Sequence, residues 1–367
     1  MGFVPIFTIS PTIADALMRI AASRQAIVDL PMTVEIQARL RETAKLVSTH
    51  LSTAIEGNRL TFQEAQAVIE RAGQGQRARD PVRRRDEREV LGYYCGLEAV
   101  ERLVASGARL TAVVIRTLHA LVMGGGRTAV RPSAYRDGQN VIRDASTGAI
   151  VYLPPEAPDV PALMSDLVGW LEDSASELPC PMRAGLAHYQ LMTIHPWYDG
   201  NGRTARLLTT LVLHLGGFDV KGFYSLEEYY AQDLASYYSA LSVGPSHNYY
   251  FGRTVADLTA WLEYFCLGTA RAFEHVQRRA KEAAASGAAD DRAKLRQLDS
   301  RQRKVLALFR ENATIMAKQV GELLGLQPRT ARTLCQRWAV GGFLAMVDPA
   351  RKSRKYGLGE EWQSLIG

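Results

Sequence analysis

His195-Pro196-Trp197-Tyr198-Asp199-Gly200-Asn201-Gly202-Arg203-Thr204-Ala205-Arg206 gathers an imidazole, a carboxylate, two turn-forming glycines and two guanidiniums within twelve residues. Upstream, Met182 to Ile194 carries Leu186, Tyr189, Leu191 and Ile194 at helical spacing, and the same period resumes from Leu207 to Leu215. The stretch therefore reads as a loop between two helices, which sets the expectation of a mainly α fold. Gly200 and Gly202 lack a Cβ, so backbone N–H groups at the start of the second helix can approach an anion closely. Arg203 and Arg206, three apart on one helix face, can each fork onto phosphate oxygens. Asp199 offers the hard oxygen that Mg²⁺ takes together with substrate phosphates. His195 closes the preceding helix and is left to accept a proton; an imidazole with a reference pKa near ~6.5 is largely neutral at pH 7. A helix-ending His, a Gly-x-Gly turn or a helical Arg is ordinary when met alone, so the weight lies in the combination.

Bulk properties narrow the setting. The chain has 367 residues, 47% hydrophobic and 22% charged, the balance of a globular protein long enough for two or three domains. Cys95, Cys180, Cys266 and Cys335 show no paired spacing, which argues against a disulfide framework or a zinc site and for a reducing, cytoplasmic setting. No apolar run approaches a membrane span, and the first residues lack the basic and apolar regions of a signal peptide. Net charge is +6. From Asp290 onward fifteen Lys and Arg face eight Asp and Glu, so the excess belongs to the C-terminal part.

Helical periodicity runs through Ala14 to Arg24, Val34 to Glu56, Thr61 to Arg71 and Arg88 to Ala105, broken by Pro31, by Gly57-Asn58 and by a stretch from Gln76 to Arg88 with six arginines. That stretch reads as a solvated connection, with nucleic-acid binding the lesser alternative. A further helix, Thr111 to Met123, ends at three glycines. Asn140-Val141-Ile142 and Ala149-Ile150-Val151-Tyr152 are β-prone and joined by Asp144-Ala145-Ser146-Thr147-Gly148, which predicts a hairpin. Tyr224 to Leu241 is rich in tyrosine, a pattern usually reflecting core packing. Residues from Arg279 to Lys294 read as a helix end and linker. Beyond them, helices over Arg301 to Arg310, Ala317 to Leu324 and Pro328 to Val340 precede two strands, Phe343 to Leu358, around the basic tip Arg351-Lys352-Ser353-Arg354-Lys355. This layout resembles a winged helix-turn-helix. Its third helix would present Arg329, Arg332, Gln336 and Arg337 to phosphates and base edges, although such modules also dock proteins or form dimers.

The run from His195 to Arg206 resembles the signature of the Fic family of nucleotidyl transferases, His-x-Phe-x-(Asp/Glu)-Gly-Asn-Gly-Arg-x-x-Arg, with Trp197 in place of Phe. The resemblance implies a helical Fic bundle with a β-hairpin flap, here expected over residues 110–285. It would be preceded by an N-terminal helical region, 1–109, and followed by the winged-helix-like region, 295–367. It implies His195 as catalytic base, Asp199 as the Mg²⁺ ligand, and Gly200, Asn201, Gly202, Arg203 and Arg206 around the phosphates of ATP. Tyr237-Tyr238 match a pair that lies near the adenine in Fic relatives. The flap, around Val141 and Ile142, would grip an extended stretch of target by strand addition and present its hydroxyl. Relatives with an intact Gly-Asn-Gly transfer AMP to Ser, Thr or Tyr, whereas the Doc kinase branch has Lys where this chain has Gly202.

Upstream, Ser52-Thr53-Ala54-Ile55-Glu56-Gly57 matches the inhibitory motif (Ser/Thr)-x-x-x-Glu-(Gly/Asn) of Fic regulation. Ser52 and Glu56 share a helix face, and Gly57 can end the helix, so the carboxylate projects from its last turn. The resemblance implies that Glu56 pairs with Arg206 and withholds it from the γ-phosphate. The expectation is thus a self-inhibited protein adenylyltransferase. Two alternatives stand beside it: removal of AMP on the same site, and a DNA-binding regulator that senses nucleotide. The acceptor would be a target protein, and a homodimer stays open.

Overall fold

The computed structural model describes residues 2–75, 84–143, 148–174, 177–286, 294–310, 312–348 and 354–366. Most of the arginine-rich connection, the hairpin turn 144–147, the linker 287–293 and most of the basic tip lie outside the described residues. In chain order the helices are α1 (Pro11–Asp29), α2 (Val34–Ile55), α3 (Phe62–Gly73), α4 (Arg84–Ala105), α5 (Ala112–Gly124), α6 (Val160–Asp173), α7 (Cys180–Ile194) and α8 (Asn201–Leu215). They continue as α9 (Glu227–Gln232), α10 (Leu234–Leu241), α11 (Thr259–Ser286), α12 (Ser300–Val305), α13 (Ala317–Leu324) and α14 (Pro328–Val340). The fold is mainly α, and the strands form two small antiparallel sheets. None of the described helices is long and apolar enough to cross a membrane.

Residues 1–24 and 43–275 form one compact unit. At its centre α7 is buried around nearly its whole circumference, including His188, Gln190 and Thr193. A helix with no solvent face must be surrounded, and α6, α8 and α11 do so. The α11 approach is close: a Cβ on Gly185 would stand 2.7 Å from the Phe265 ring, and Trp261 Nε1 donates to the Gly185 carbonyl at 2.8 Å. The His188 imidazole joins Thr209 Oγ1 of α8 at 2.9 Å to the Tyr237 hydroxyl of α10 at 2.8 Å. On the other side of α8, Tyr93 and Val100 of α4 and Leu118 and Leu121 of α5 pack with Leu207 and Leu211. Two helices, α7 and α8, are thus held on all sides, and their connecting loop inherits that rigidity.

Strands β1 (Ile142–Arg143) and β2 (Ile150–Tyr152) form the expected antiparallel hairpin, with Ile142 opposite Tyr152 and Arg143 opposite Ile150. Val141 lies just before β1. The tyrosine-rich segment is divided into α9 and α10 at Asp233, which leaves helical geometry (φ −146°) and caps α10 by accepting the Ser236 N–H at 3.0 Å. Helix α6, on which Val160, Met164, Leu167 and Leu171 form a buried stripe, adds an element beyond those the sequence reading assigns.

Residues 25–42 and 276–367 form the second unit. The segment expected as one helix from Arg301 to Arg310 is α12 followed by a 3₁₀ stretch, Leu306–Arg310. Strands β3 (Ile315–Met316), β4 (Leu344–Asp348) and β5 (Lys355–Leu358) form an antiparallel sheet with β5 in the middle. Gly325 ends α13 in the left-handed region, and Pro328 opens α14. Ala331, Leu334, Cys335 and Trp338 are the buried face of α14; Arg329, Arg332, Gln336 and Arg337 lie on its exposed face.

Candidate active site

The loop between α7 and α8 is bracketed by two residues in left-handed backbone geometry. His195 ends α7 at φ 50°, ψ 60°, its N–H donating to Leu191, and Gly200 opens α8 at φ 77°. For a residue with a Cβ this conformation costs of the order of 1–3 kcal/mol and persists where the surroundings over-determine it. Asn201 supplies part of that hold: its Oδ1 accepts the Trp197 N–H at 3.0 Å and its Nδ2 donates to the Trp197 carbonyl at 2.8 Å. The Asn201 side chain is therefore committed to bracing the loop, and its backbone N–H is what it can offer an anion. Trp197 is buried and stacks on His119 at 4.0 Å with the rings nearly parallel, so the larger ring is accommodated.

The loop encloses one side of a cavity of about 730 Å³ bordered by His195, Asp199, Gly200, Asn201, Gly202 and Arg206. Val141, Ile142 and Tyr152 of the hairpin segment border it too, as do Glu56 and Tyr238. Burial pushes the His195 imidazole down to about 4, against the opposing pull of the Met192 carbonyl and the Glu56 carboxylate. The ring is thus neutral at pH 7, with Nδ1 3.3 Å from the Met192 carbonyl oxygen. If Nδ1 carries the proton there, Nε2 is the basic nitrogen.

Asp199 is about half exposed. Its Oδ1 accepts the Gly200 N–H at 2.6 Å and Arg203 Nη2 at 3.2 Å, and Oδ2 has no donor among the described residues. No cluster of three or more His, Cys, Asp or Glu able to cage a metal occurs among the described residues. One carboxylate oxygen at a cavity wall suits a Mg²⁺ ion that takes its remaining ligands from phosphates and water. Arg203 is buried behind Asp199 and does not border the cavity, so its charge reaches the site through that carboxylate.

Arg206 is buried with three short hydrogen bonds. Its Nε donates to Ser52 Oγ at 2.7 Å, and Nη2 donates to the Ser52 carbonyl at 2.9 Å and to Glu56 Oε1 at 2.8 Å. Glu56 follows the last residue of α2, and Gly57 turns the chain at φ 88°. A Cβ on Gly202 would stand 2.2 Å from Glu56 Oε1. The carboxylate thus rests over the first turn of α8, where the glycine leaves the backbone bare.

Of the tyrosine pair expected near a base, the structure brings only Tyr238 to the cavity. Tyr237 is fully buried, stacks on Tyr230 at 4.7 Å and points its hydroxyl at His188, so it has no open face for a purine and belongs to the core. Tyr238 is 43% exposed.

Two supporting residues carry no signal in the sequence. His119 of α5 bonds Ser133 Oγ at 2.7 Å and the Asp199 carbonyl at 2.9 Å while stacking on Trp197. Arg136, buried, donates Nε to the His195 carbonyl at 3.0 Å, Nη1 to Gly138 and Nη2 to Pro155, while its backbone N–H donates to Pro196. It ties the hairpin base to the loop between α7 and α8. A lone His or Arg in such contexts has no telling spacing, because each acts on backbone carbonyls from a distant segment.

The fold and site define a mainly helical protein in which a Gly-Asn-Gly loop between two buried helices is walled by a short β-hairpin. Residues 109–213 match the model described as the Fic/DOC family. It is similar to the protein adenylyltransferase Fic of Nematostella vectensis, 30% identical over 56% of this chain and 45% of that one. It is also similar to the protein adenylyltransferase fic-1 of Caenorhabditis briggsae, 30% identical over 53% of this chain and 36% of the other. The chain spans less than half the length of these curated relatives. Among solved structures, a Fic family protein from Desulfovibrio desulfuricans superposes with a TM-score of 0.59 at 24% identity, covering 98% of this chain and 99% of that one. A Fic domain containing signaling protein from Bacteroides thetaiotaomicron gives a TM-score of 0.61 at 24% identity over 74% of this chain and 98% of the other. At that identity the likeness speaks for the fold.

Proposed function

We propose that this chain is a self-restrained protein adenylyltransferase that moves AMP from Mg-ATP to a hydroxyl of a target protein. The observation that carries the reading is the Glu56 carboxylate paired with Arg206 over Gly202, inside the cavity that His195 borders. In this reading the acceptor oxygen attacks the α-phosphorus, the bond from that phosphorus to the bridging oxygen breaks, and pyrophosphate leaves. His195 takes the hydroxyl proton as attack proceeds. When bound, Mg-ATP supplies the activated phosphoryl group and part of the charge neutralisation. The backbone N–H groups at the start of α8 and the Arg206 guanidinium meet the remaining negative charge. Asp199 would hold the metal, and Arg203 and the Asn201 side chain would keep that cradle in shape. Val141 and Ile142 would seat the target backbone, and Tyr238 alone of the tyrosine pair would meet the base.

While Glu56 holds Arg206 and covers Gly202, a triphosphate cannot settle. Each ~1.4 kcal/mol that this ion pair contributes lowers the competent population tenfold. The test uses ATP labelled on the α- or the γ-phosphate with wild type, Glu56→Gly and His195→Ala. Label from the α position should enter protein, increase in Glu56→Gly and vanish in His195→Ala. Label entering from the γ position alone overturns the assignment in favour of phosphorylation. A second reading draws on Glu56 Oε2, which has no donor among the described residues: the carboxylate could orient water to remove AMP. Release of AMP from a pre-modified protein by wild type, lost in Glu56→Gly, would favour it.

For the C-terminal unit we propose a winged-helix module, on the strength of the arginines along the exposed face of α14.

A further inference from the structure

Behind Arg206 a chain of buried polar groups leads away from the cavity. The Ser52 hydroxyl that receives Arg206 Nε also interacts with the hydroxyl of Tyr93 on α4. Tyr93 OH donates to Glu227 Oε1 at 2.6 Å. The other oxygen of Glu227 accepts from Ser48 Oγ of α2 at 2.9 Å and from Ser225 Oγ at 2.8 Å. Ser52 and Tyr93 are fully buried, and Glu227 is 2% exposed. None of these groups borders the catalytic cavity.

A carboxylate taken this far from water is costly to keep and costlier to leave half-paired, so its three hydroxyl donors act as a unit. Ser48, Ser52 and Glu56 follow at intervals of four along α2 and its last turn, which places them on one stripe. Glu227 grips the first, Arg206 the second and third. The α2 stripe is therefore fixed at both ends, and its register relative to α8 depends on the grip at Ser48.

We propose that Glu227, together with Tyr93, is a positioning residue for the brake: by pinning α2 at Ser48 it delivers Ser52 and Glu56 to Arg206. Loosening the pin lets the end of α2 withdraw and frees Arg206 for a triphosphate. The inference rests on the adenylyltransferase reading.

The test is a double-mutant cycle with Glu227→Gln and Tyr93→Phe, each made in wild type and in Glu56→Gly. Gln keeps the shape and one acceptor, and Phe removes only a hydroxyl, so the two perturb the pin independently. The readouts are transfer from α-labelled ATP, the Kd for ATP, and amide hydrogen exchange along residues 43–56. In the wild-type background each variant should raise transfer roughly tenfold, tighten ATP binding and speed exchange at the end of α2. In the Glu56→Gly background neither should raise transfer further. Equal fold-changes in both backgrounds, or unchanged transfer and exchange in both variants, overturn the pin. If Glu56→Gly itself fails to raise transfer, the brake falls, and the pin with it; an active Glu56→Gly with additive effects sinks the pin alone.

Discussion

At position 202 a single hydrogen decides two opposite states. A Cβ there would meet Glu56 Oε1 at 2.2 Å and Arg206 Nη1 at 3.2 Å, so alanine cannot coexist with the present pose of the carboxylate. The same methyl group would stand where a phosphate must approach the backbone. Gly202→Ala should therefore displace Glu56 without the gain expected of Glu56→Gly, and in the Glu56→Gly background it should cut AMP transfer tenfold or more, ~1.4 kcal/mol of barrier. Rates from α-labelled ATP in the four combinations check this; a Gly202→Ala variant as active as Glu56→Gly refutes it. His195 gives a second prediction at this scale. Because burial holds its pKa at about 4, the ring would stay competent as the proposed base below the usual imidazole range. Because the Glu56 carboxylate is one of the groups that hold this value up, the acid limb of kcat/KM for Glu56→Gly should fall at or below pH 4 and the pH–rate profile stay flat from there through pH 6.5, over the range where the fold persists. That His195, Asp199, Gly200, Gly202 and Arg206 border one cavity was legible because their types and spacing imply one shared anion. His119 and Arg136 were not, since their partners are backbone carbonyls brought in by the fold.

Helices α7, α8 and α10 share one crosslink whose chemistry predicts how stability depends on pH. His188 is fully buried between Thr209 and Tyr237, and burial lowers its pKa to about 3. The folded protein therefore keeps this ring neutral where the unfolded chain, near ~6.5, binds a proton. Stability from this group is complete above the unfolded value and is lost as pH falls from there toward 3. His119 and His195, each lowered to about 4 by burial, act in the same direction. The thermal midpoint should fall between pH 6.5 and 4, by an amount of the order of a few kcal/mol in stability. His188→Gln, which retains hydrogen bonding but cannot titrate, should be less stable at pH 7 and show a shallower pH dependence. Parallel curves for the two proteins would contradict the assignment. Element by element, α7 and α8 were readable from apolar spacing on either side of the glycines. β3, at two residues, is shorter than any period can reveal, and the break between α9 and α10 depends on a cap at Asp233 rather than on pattern.

Over the whole molecule, charge is the property the sequence displays most directly, while the grouping of segments is hidden from it. That residues 25–42 cluster with 276–367 cannot be inferred from periodicity, which says which face of a helix is covered but not by what. The charge excess after Asp290, by contrast, can be counted, and the fold converts part of it into a surface. Arg329, Arg332 and Arg337 lie on the exposed face of α14, while the opposite face packs Leu334, Cys335 and Trp338 into the core of that unit. A helix buried on one side and lined with guanidiniums on the other suits the phosphates of duplex DNA. If that is what it meets, the chain should retard duplex DNA at low salt, and log K should fall linearly with log salt concentration. Replacing Arg329, Arg332 and Arg337 by Ala should weaken binding across sequences and lower that slope by about one for each phosphate that is no longer neutralised. Because all three side chains are exposed, the substitutions should leave the folding stability within about 0.5 kcal/mol of wild type per site, which separates a binding defect from a folding defect. No retardation at low salt by the wild-type chain would discard the DNA reading and leave α14 as a surface for an acidic protein partner.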